Sequence, residues 1–469
     1  MKYSDLKYLS VELPEAINKE KWSGNFDETR KLINTLLTSE GTPYPLRCRL
    51  ELELNNMNYI QARYTVSEEE ALQIMRRRIP KMTKEELEIL RREDKADWMY
   101  IDGEVKYIDC FDATLYKVYP QIWEMTDEGD TSDYTVIQRV AEEAKANGDG
   151  FCMKAHIHIR HDFWLKKESV EQGKILKVHM PVPIEAGSVK NLKLVDITPE
   201  YKFISQNALQ PTIYFEVEAE EGQVFSVEYE MDNSVAYRDT SRIDLKAVDE
   251  TPVPEEERQY LAEELPHIRF TPYLKALAEE IAAGETNLLR LARKFYDFIT
   301  TETDYRFVRD YCSIDNLPEY CALNKRGDCG VQALLFITLC RIAGIPARWQ
   351  SGLDAKPGDV GEHDWAMFYI PTAGWLYADL SYGGSSYIRG AYDRWNFFFG
   401  NVDPWRIPIN NGFQKQFVPP KNRWRIDPYD NQCGEAEYEH RGLTADEVEY
   451  AYTEIFSAKT GEIWYNKGI

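Results

Sequence analysis

The chain has 469 residues, a formal net charge of −23 and an isoelectric point near 4.9. So acidic a chain lacks the basic surface that nucleic acid or an anionic membrane binds, which argues against both as partners. A single hydrophobic core does not extend over this length, so we predict about three domains.

The cysteines and the apolar runs bear on where the protein works. Eight cysteines are spread through the chain without regular spacing, and no CxxC pair occurs. This pattern predicts reduced thiols rather than a disulfide framework. The first residues form no apolar leader and no apolar run reaches the length of a membrane span, so we expect a cytoplasmic protein.

Residues 1–150 are predicted to be mostly helical. Capping boxes at 67–70 and 83–86, each a Ser or Thr followed by Glu three positions later, predict two helix starts. An Asp-Gly pair at 102–103 predicts a small hairpin after these two helices.

Residues 151–248 change to a period of two. Apolar residues alternate with Glu or Ser from Phe215 to Ala219 and from Phe225 to Met231. This alternation is typical of half-buried strands and predicts a β-sandwich-like domain.

Three histidines in this region raise the question of a metal site. His156 and His158 share one face of a predicted strand and could bind zinc with a third ligand, whereas His161 falls on the other face. No Cys or carboxylate in the motif completes the set. A solvent-facing strand is the better interpretation, and we predict neither a metal nor another cofactor.

The third region begins after an acidic, proline-bearing linker at 249–257 and contains the most informative motif. Gly327-Asp328-Cys329-Gly330 opens an apolar run that extends to Ala343, which predicts a buried helix with Cys329 in its first turn. There the helix dipole and the unpaired N–H groups favour a thiolate, so they should lower the pKa of Cys329. The same N–H groups can donate hydrogen bonds to an oxyanion.

A histidine and a carboxylate follow on the two arms of one predicted hairpin, His363 before the first strand and Asp379 at the end of the second. Cysteine, histidine and aspartate are the groups that acyl transfer through a thioester requires. A four-residue loop over 371–374 would place His363 and Asp379 about 10 Å apart. A shifted register or a curved entry is therefore predicted, with an Asp379 oxygen within about 3.2 Å of a His363 ring nitrogen.

The segment from about Pro272 to Arg406 resembles the transglutaminase-like superfamily, through Gly-Asp-Cys at 327–329, the helix ending in Gly-Ile-Pro-Ala-Arg at 344–348, and His363 with its following Trp365. The resemblance implies a core related to the papain-like fold and a catalytic triad of Cys329, His363 and Asp379. It also suggests an aromatic oxyanion donor, for which Tyr305 and Tyr311 are the candidates.

We therefore predict an α+β, multidomain protein whose catalytic core packs a helix on an antiparallel sheet. The predicted domains are a mostly helical N-terminal region (1–150), a β-sandwich-like domain (151–248), a transglutaminase-like catalytic core (249–410) and a C-terminal extension packing on that core (411–469).

The expected function is that of a bacterial-type thiol hydrolase, a cysteine protease or amidase that cleaves an amide bond in a protein or peptide. Three alternatives remain open at this point: transfer of the acyl group to an amine, peptide N-glycanase-like removal of a glycan, and a non-catalytic binding scaffold. Nothing in the sequence selects water or an amine as the acceptor.

Overall fold

The structure, a computed structural model, describes residues 3–185 and 187–459. Within these ranges no helix combines the length and the apolar character needed to cross a membrane.

The N-terminal region is mostly helical, as predicted. Its helices are Glu15–Trp22 (α1), Phe26–Thr38 (α2), Tyr44–Arg63 (α3), Glu68–Arg76 (α4), Lys84–Arg92 (α5), Phe111–Val118 (α6), Pro120–Trp123 (α7) and Thr135–Asn147 (α8). A small sheet accompanies them, made of Val66–Ser67 (β1), Trp98–Ile101 (β2) and Glu104–Tyr107 (β3). Both capping boxes are formed, at the starts of α4 and α5, because Ser67 and Thr83 each accept the backbone N–H of the glutamate three positions on.

The β region consists of two four-stranded sheets. Six of their eight strands come from this part of the chain: Cys152–Leu165 (β4), Ile175–Pro181 (β5), Val189–Thr198 (β6), Phe203–Ile204 (β7), Thr212–Glu218 (β8) and Val224–Ala236 (β9). The alternation read from the sequence is present, since Phe225, Val227 and Tyr229 are buried.

The third region packs helices against a five-stranded sheet. Its helices are Leu245–Glu250 (α9), Pro272–Ala282 (α10), Leu288–Glu302 (α11), Leu317–Asn324 (α12), Cys329–Ile342 (α13), Leu380–Ile388 (α14) and Tyr392–Phe397 (α15). Its strands are Asp304–Tyr305 (β10), Arg326–Gly327 (β11), Ala347–Asp354 (β12), Gly361–Ile370 (β13), Gly374–Ala378 (β14), Phe399–Gly400 (β15) and Arg406–Asn410 (β16).

The antiparallel sheet has the strand order β15-β14-β13-β12-β16, and β13 lies at its centre. Helix α13 is buried from Gly330 to Arg341 and packs on β13, where Phe336 meets Phe368 edge to face. The predicted core helix on an antiparallel sheet is therefore present, and it places Cys329 beside the strand that carries His363.

The C-terminal residues return to the β region. Strand Glu435–Tyr438 (β17) pairs with β5, and strand Val448–Lys459 (β18) pairs with β4, so each sheet gains an outer strand from the end of the chain. The loop before β17 reaches the third region, where Gln432 donates to the carbonyl oxygens of Gly352 and His363. This part of the chain thus joins the sandwich to the candidate site.

Candidate active site

Cys329 is the first residue of α13, as predicted, but the helix N-terminus is already capped. The Asp328 carboxylate accepts the backbone N–H of Val331 at 3.1 Å and also that of Gly330. The Tyr311 hydroxyl donates to the same carboxylate at 2.5 Å. The expectation that these helix N–H groups receive an oxyanion is therefore wrong for Gly330 and Val331.

The surroundings of the thiol also reverse the predicted direction of its pKa. Burial raises the pKa of Cys329 well above its ordinary value, and nearby carboxylate charge, that of Asp328 included, raises it further. The prediction from the sequence included the effect of the helix dipole on the pKa of Cys329, but not the effect of the carboxylates beside the sulfur. At rest the sulfur is a thiol, and a base has to remove its proton.

His363 and Asp379 are in direct contact, as the sequence predicts. Nε2 of His363 lies 2.8 Å from Oδ2 of Asp379, and both side chains are buried, at 6% and 0% exposed. Burial alone would raise the pKa of Asp379, but the charges of His363 and Arg406 more than offset it and lower the pKa below its usual range. The carboxylate thus stays charged and orients the imidazole, which leaves Nδ1 free for another partner.

The hairpin brings these two groups together by a register one position away from a simple four-residue loop. Ile370 pairs with Gly374 and Ala366 with Ala378, so Asp379 would face Trp365, which lies two positions from His363 on the same side of β13. The second strand then ends, and Asp379 caps α14 by accepting the N–H of Tyr382 at 3.1 Å. The one-position shift in register and the turn at the end of the second strand together bring the Asp379 carboxylate within hydrogen-bonding distance of the His363 ring.

A buried guanidinium lies behind the Asp379 carboxylate. Arg406 donates from Nη2 to Asp379 at 3.1 Å, and its Nη1 lies 2.6 Å from Asp354 and 3.3 Å from Asp403. Despite its burial, the charges of Asp354 and Asp403 raise the pKa of Arg406 well above its usual range. In the sequence analysis Arg406 is only the last residue of the segment that resembles the family, and its contact with Asp379 is not predicted. Its position between apolar Trp405 and Ile407 was the available signal.

Cys329 lies where two cavities of about 270 Å³ each meet. The first, the His363 cleft, is lined by His363, Gln332, Tyr382, Lys117 and Lys356 among others. The second, the Asp364 cleft, is lined by Asp364, Tyr311, Asp427, Asp430 and Gln432 among others. Cys329 and Tyr305 border both. A bound chain could therefore cross the sulfur from one cavity to the other.

Sequence reasoning passed over Asp364, which contacts the sulfur of Cys329. Its Oδ2 accepts a hydrogen bond from the Cys329 thiol at 3.6 Å, and the backbone N–H of Asp364 donates to the same sulfur. A carboxyl group in a strand whose next residues are buried is unusual. That local signal could have identified it.

The glycine after Cys329 is needed for this close packing. A methyl group on Gly330 would collide with the Tyr311 hydroxyl and would lie 2.6 Å from Asp364 Oδ2 and 2.8 Å from the Trp349 ring. Gly330→Ala is therefore expected to cost about 1–3 kcal/mol of unfolding free energy, although alanine is the better helix former. Urea unfolding measures this, with Gly41→Ala as the control, because a methyl there has its nearest neighbour at 3.8 Å. Equal stability of the two variants would contradict the packing.

The histidines of the β region pair with carboxylates of the neighbouring strand. His156 contacts Asp232 at 2.8 Å and Glu230 at 3.3 Å, and His158 contacts Glu228 at 2.7 Å. His161 is buried on the opposite face, as its parity predicted. In the part of the chain that the structure describes, no group of three or more His, Cys, Asp or Glu side chains is arranged to hold a metal ion.

Residues 275–380 match the family model of the Transglutaminase-like superfamily. This segment runs from α10 to the start of α14 and contains Cys329, His363 and Asp379. The chain thus carries a transglutaminase-like domain. A comparison with curated proteins gave no match.

Similar solved structures include a candidate cysteine protease from Cytophaga hutchinsonii, with 16% identity, a TM-score of 0.44, and coverage of 68% of this chain and 96% of that one. The periplasmic domain of TgpA from Pseudomonas aeruginosa has 14% identity, a TM-score of 0.28, and coverage of 56% and 95%. A candidate protease from Parabacteroides distasonis has 11% identity, a TM-score of 0.22, and coverage of 49% and 43%.

Proposed function

We propose that this protein is a thiol hydrolase that cleaves an amide bond of a protein or peptide through a thioester on Cys329. The observation that carries the proposal is the buried His363–Asp379 pair, at 2.8 Å, in the same cleft as a cysteine that begins a helix. The match of this segment to the transglutaminase-like family agrees with it.

In this mechanism His363 moves the proton. Asp379 binds Nε2, so Nδ1 takes the proton of the Cys329 thiol as the sulfur attacks the substrate carbonyl. The imidazolium then returns the proton to the leaving amine, and a thioester remains. Water, deprotonated by the same imidazole, releases the acid and restores the thiol.

Tyr305 is the better of the two tyrosines for the oxyanion. The Tyr311 hydroxyl already donates a hydrogen bond to Asp328, whereas Tyr305 borders both cavities at Cys329. Burial raises the pKa of Tyr305 well above its usual value, and the nearby Cys329 and Asp328 raise it further. The hydroxyl therefore keeps its proton, which a hydrogen-bond donor to an oxyanion requires.

The two cavities favour an extended substrate over a small molecule. They meet at the sulfur and continue to either side of it. Because His363 borders only the first cavity, we assign the leaving amine to the His363 cleft and the acyl part of the substrate to the Asp364 cleft.

We further propose a cytoplasmic location, because all eight cysteines are free. Fractionation of the source cells with an antibody to the protein tests this. Recovery with periplasmic or secreted proteins would contradict it.

Despite its raised pKa, Cys329 is expected to react with iodoacetamide faster than the other half-buried cysteines, because His363 lines the same cleft and can take its proton. The closest comparison is Cys433, which is also half-buried and has its pKa raised by burial and by Glu362. Peptide mapping after timed alkylation at pH 7 measures the rates, and a library of internally quenched peptides then tests turnover. Equal labelling of Cys433 and Cys329, with no peptide cleaved, would reject the proposed function.

A further inference from the structure

The carboxyl group of Asp364 is held between the nucleophile and a second acid. Its Oδ1 accepts a hydrogen bond from Gln432 at 3.2 Å, which turns Oδ2 toward the sulfur of Cys329. On its other side the side chain hydrogen-bonds to Asp430, whose own Oδ2 accepts the Ser351 hydroxyl at 2.5 Å. Both acids are buried, at 7% and 4% exposed.

Two carboxyl groups in contact cannot both ionise at low energetic cost, so the pair keeps one proton. Burial, followed by the charges of Asp430 and Asp328, raises the pKa of Asp364 well above its usual range. Burial likewise raises the pKa of Asp430 to about 6, although Ser351 and Arg425 oppose the rise.

The other groups that face the pair are mostly acidic. Asp328 and Cys329 approach from the start of α13, Asp427 from the same loop as Asp430, and Glu362 from the strand of Asp364 itself. Arg425 is the cation that acts on the pair, through Asp430. This balance of charge keeps the shared proton in place.

We propose that Asp364 is a catalytic residue: the one proton of the Asp364–Asp430 pair stays on Asp364, whose O–H donates a hydrogen bond to the Cys329 sulfur when that sulfur loses its own proton to His363. The S–H bond breaks, its electron pair stays on sulfur, and its proton passes to Nδ1. The O–H bond of Asp364 remains intact throughout. The inference rests on the proposed function, since it concerns the same thiolate.

The structure explains why such a donor is needed. In other sites a helix N-terminus stabilises the thiolate, but here Asp328 occupies the N–H groups of Gly330 and Val331. At the sulfur the backbone N–H of Asp364 donates in their place, and the Asp364 carboxyl, which accepts the thiol proton's hydrogen bond at rest, donates once that proton has left. A neutral Asp364 supports the thiolate, whereas an ionised Asp364 places a negative charge about 3.6 Å away and opposes it.

Alkylation of Cys329 by iodoacetamide between pH 4 and 10, followed by mass spectrometry of the full chain, tests the inference without a substrate. In the wild-type protein the alkylation rate of Cys329 should show a dip over the pH range in which the Asp364–Asp430 pair loses its proton. Asp364→Asn, which keeps a neutral donor, should remove the dip. Asp430→Asn should move the dip to lower pH, because Asp364 then loses the charge that holds its proton.

Asp364→Ala, with no donor, should react at least about tenfold more slowly than Asp364→Asn at pH 7. Asp297→Asn is the control, because Asp297 is another carboxyl whose pKa is raised by burial, on α11 beside Arg293. It should keep the wild-type profile.

Rapid alkylation of Cys329 with the same profile in wild type, Asp364→Asn and Asp430→Asn would overturn the role of Asp364 and leave the proposed function standing. Slow alkylation of Cys329 in all of them would instead count against the nucleophile. If Asp364→Ala does not fold, as judged by circular dichroism, the loss of the dip in Asp364→Asn and its shift to lower pH in Asp430→Asn decide.

Discussion

Cys329→Ala is expected to lower kcat by a factor on the order of 10⁶, to below detection, in any peptide assay that the wild-type protein turns over. In the proposed mechanism the sulfur forms the thioester, so no other group can replace it. Asp379→Asn should retain measurable turnover with a drop of about 10² to 10⁴-fold, because Asp379 orients His363 rather than reacting.

Steady-state kinetics on a peptide found in the library screen measures both defects, and the melting temperature of Cys329→Ala should stay within a few degrees of wild type, since the half-buried thiol leaves little space when removed. Cys340→Ala, at a buried cysteine on the far part of α13, is the matched control and should retain turnover. Wild-type rates in Cys329→Ala would remove the enzyme proposal.

Arg406→Met is expected to lower the free energy of unfolding at pH 7.5 by about 3–5 kcal/mol, because it leaves Asp354, Asp379 and Asp403 in the core without the guanidinium that neutralises them. In the wild-type protein Arg406 lowers the pKa values of Asp354 and Asp379 against the effect of burial. Without Arg406, burial raises the pKa values of these carboxyls instead, so the loss of stability is complete well above the pKa of an unfolded aspartate, near 4, and shrinks as the pH falls toward it.

The deficit of Arg406→Met should therefore shrink when unfolding is measured at pH 4 instead of pH 7.5. Arg394→Met is the control, since Arg394 is buried but donates to the neutral side chains Ser386 and Gln138. Its deficit should be nearly independent of pH. A deficit of equal size at both pH values in Arg406→Met would show that the arginine contributes through packing alone.

Local patterns in the sequence predicted the elements that carry the site. The apolar run after Cys329 is long enough to define a core helix, and the capping boxes before α4 and α5 depend on residues three positions apart. The hairpin with His363 and Asp379 joins two strands across a short turn, so its partners could be named, and the need for a changed register could be derived from spacing alone.

The parts that sequence reasoning missed depend on contacts between distant positions. Asp430 and Gln432, which contact Asp364, belong to a loop that follows the third region in the sequence. Arg406 contacts Asp379 from another strand of the sheet. The wrong direction for the pKa of Cys329 has the same origin, because the burial of its sulfur and its contact with Asp364 arise only in the folded chain.

The return of the chain end to the β region has a consequence for the order in which the protein becomes active during synthesis. The ribosome makes Cys329, His363 and Asp379 first, while the loop with Asp430 and Gln432 and the outer strands β17 and β18 emerge last. Until then Asp364 has no partner to hold its carboxyl against the sulfur, and both sheets lack an outer strand. If Asp364 acts as we propose, a nascent chain therefore carries a Cys329 sulfur without this support until translation has passed Gln432 and the loop has packed against Asp364.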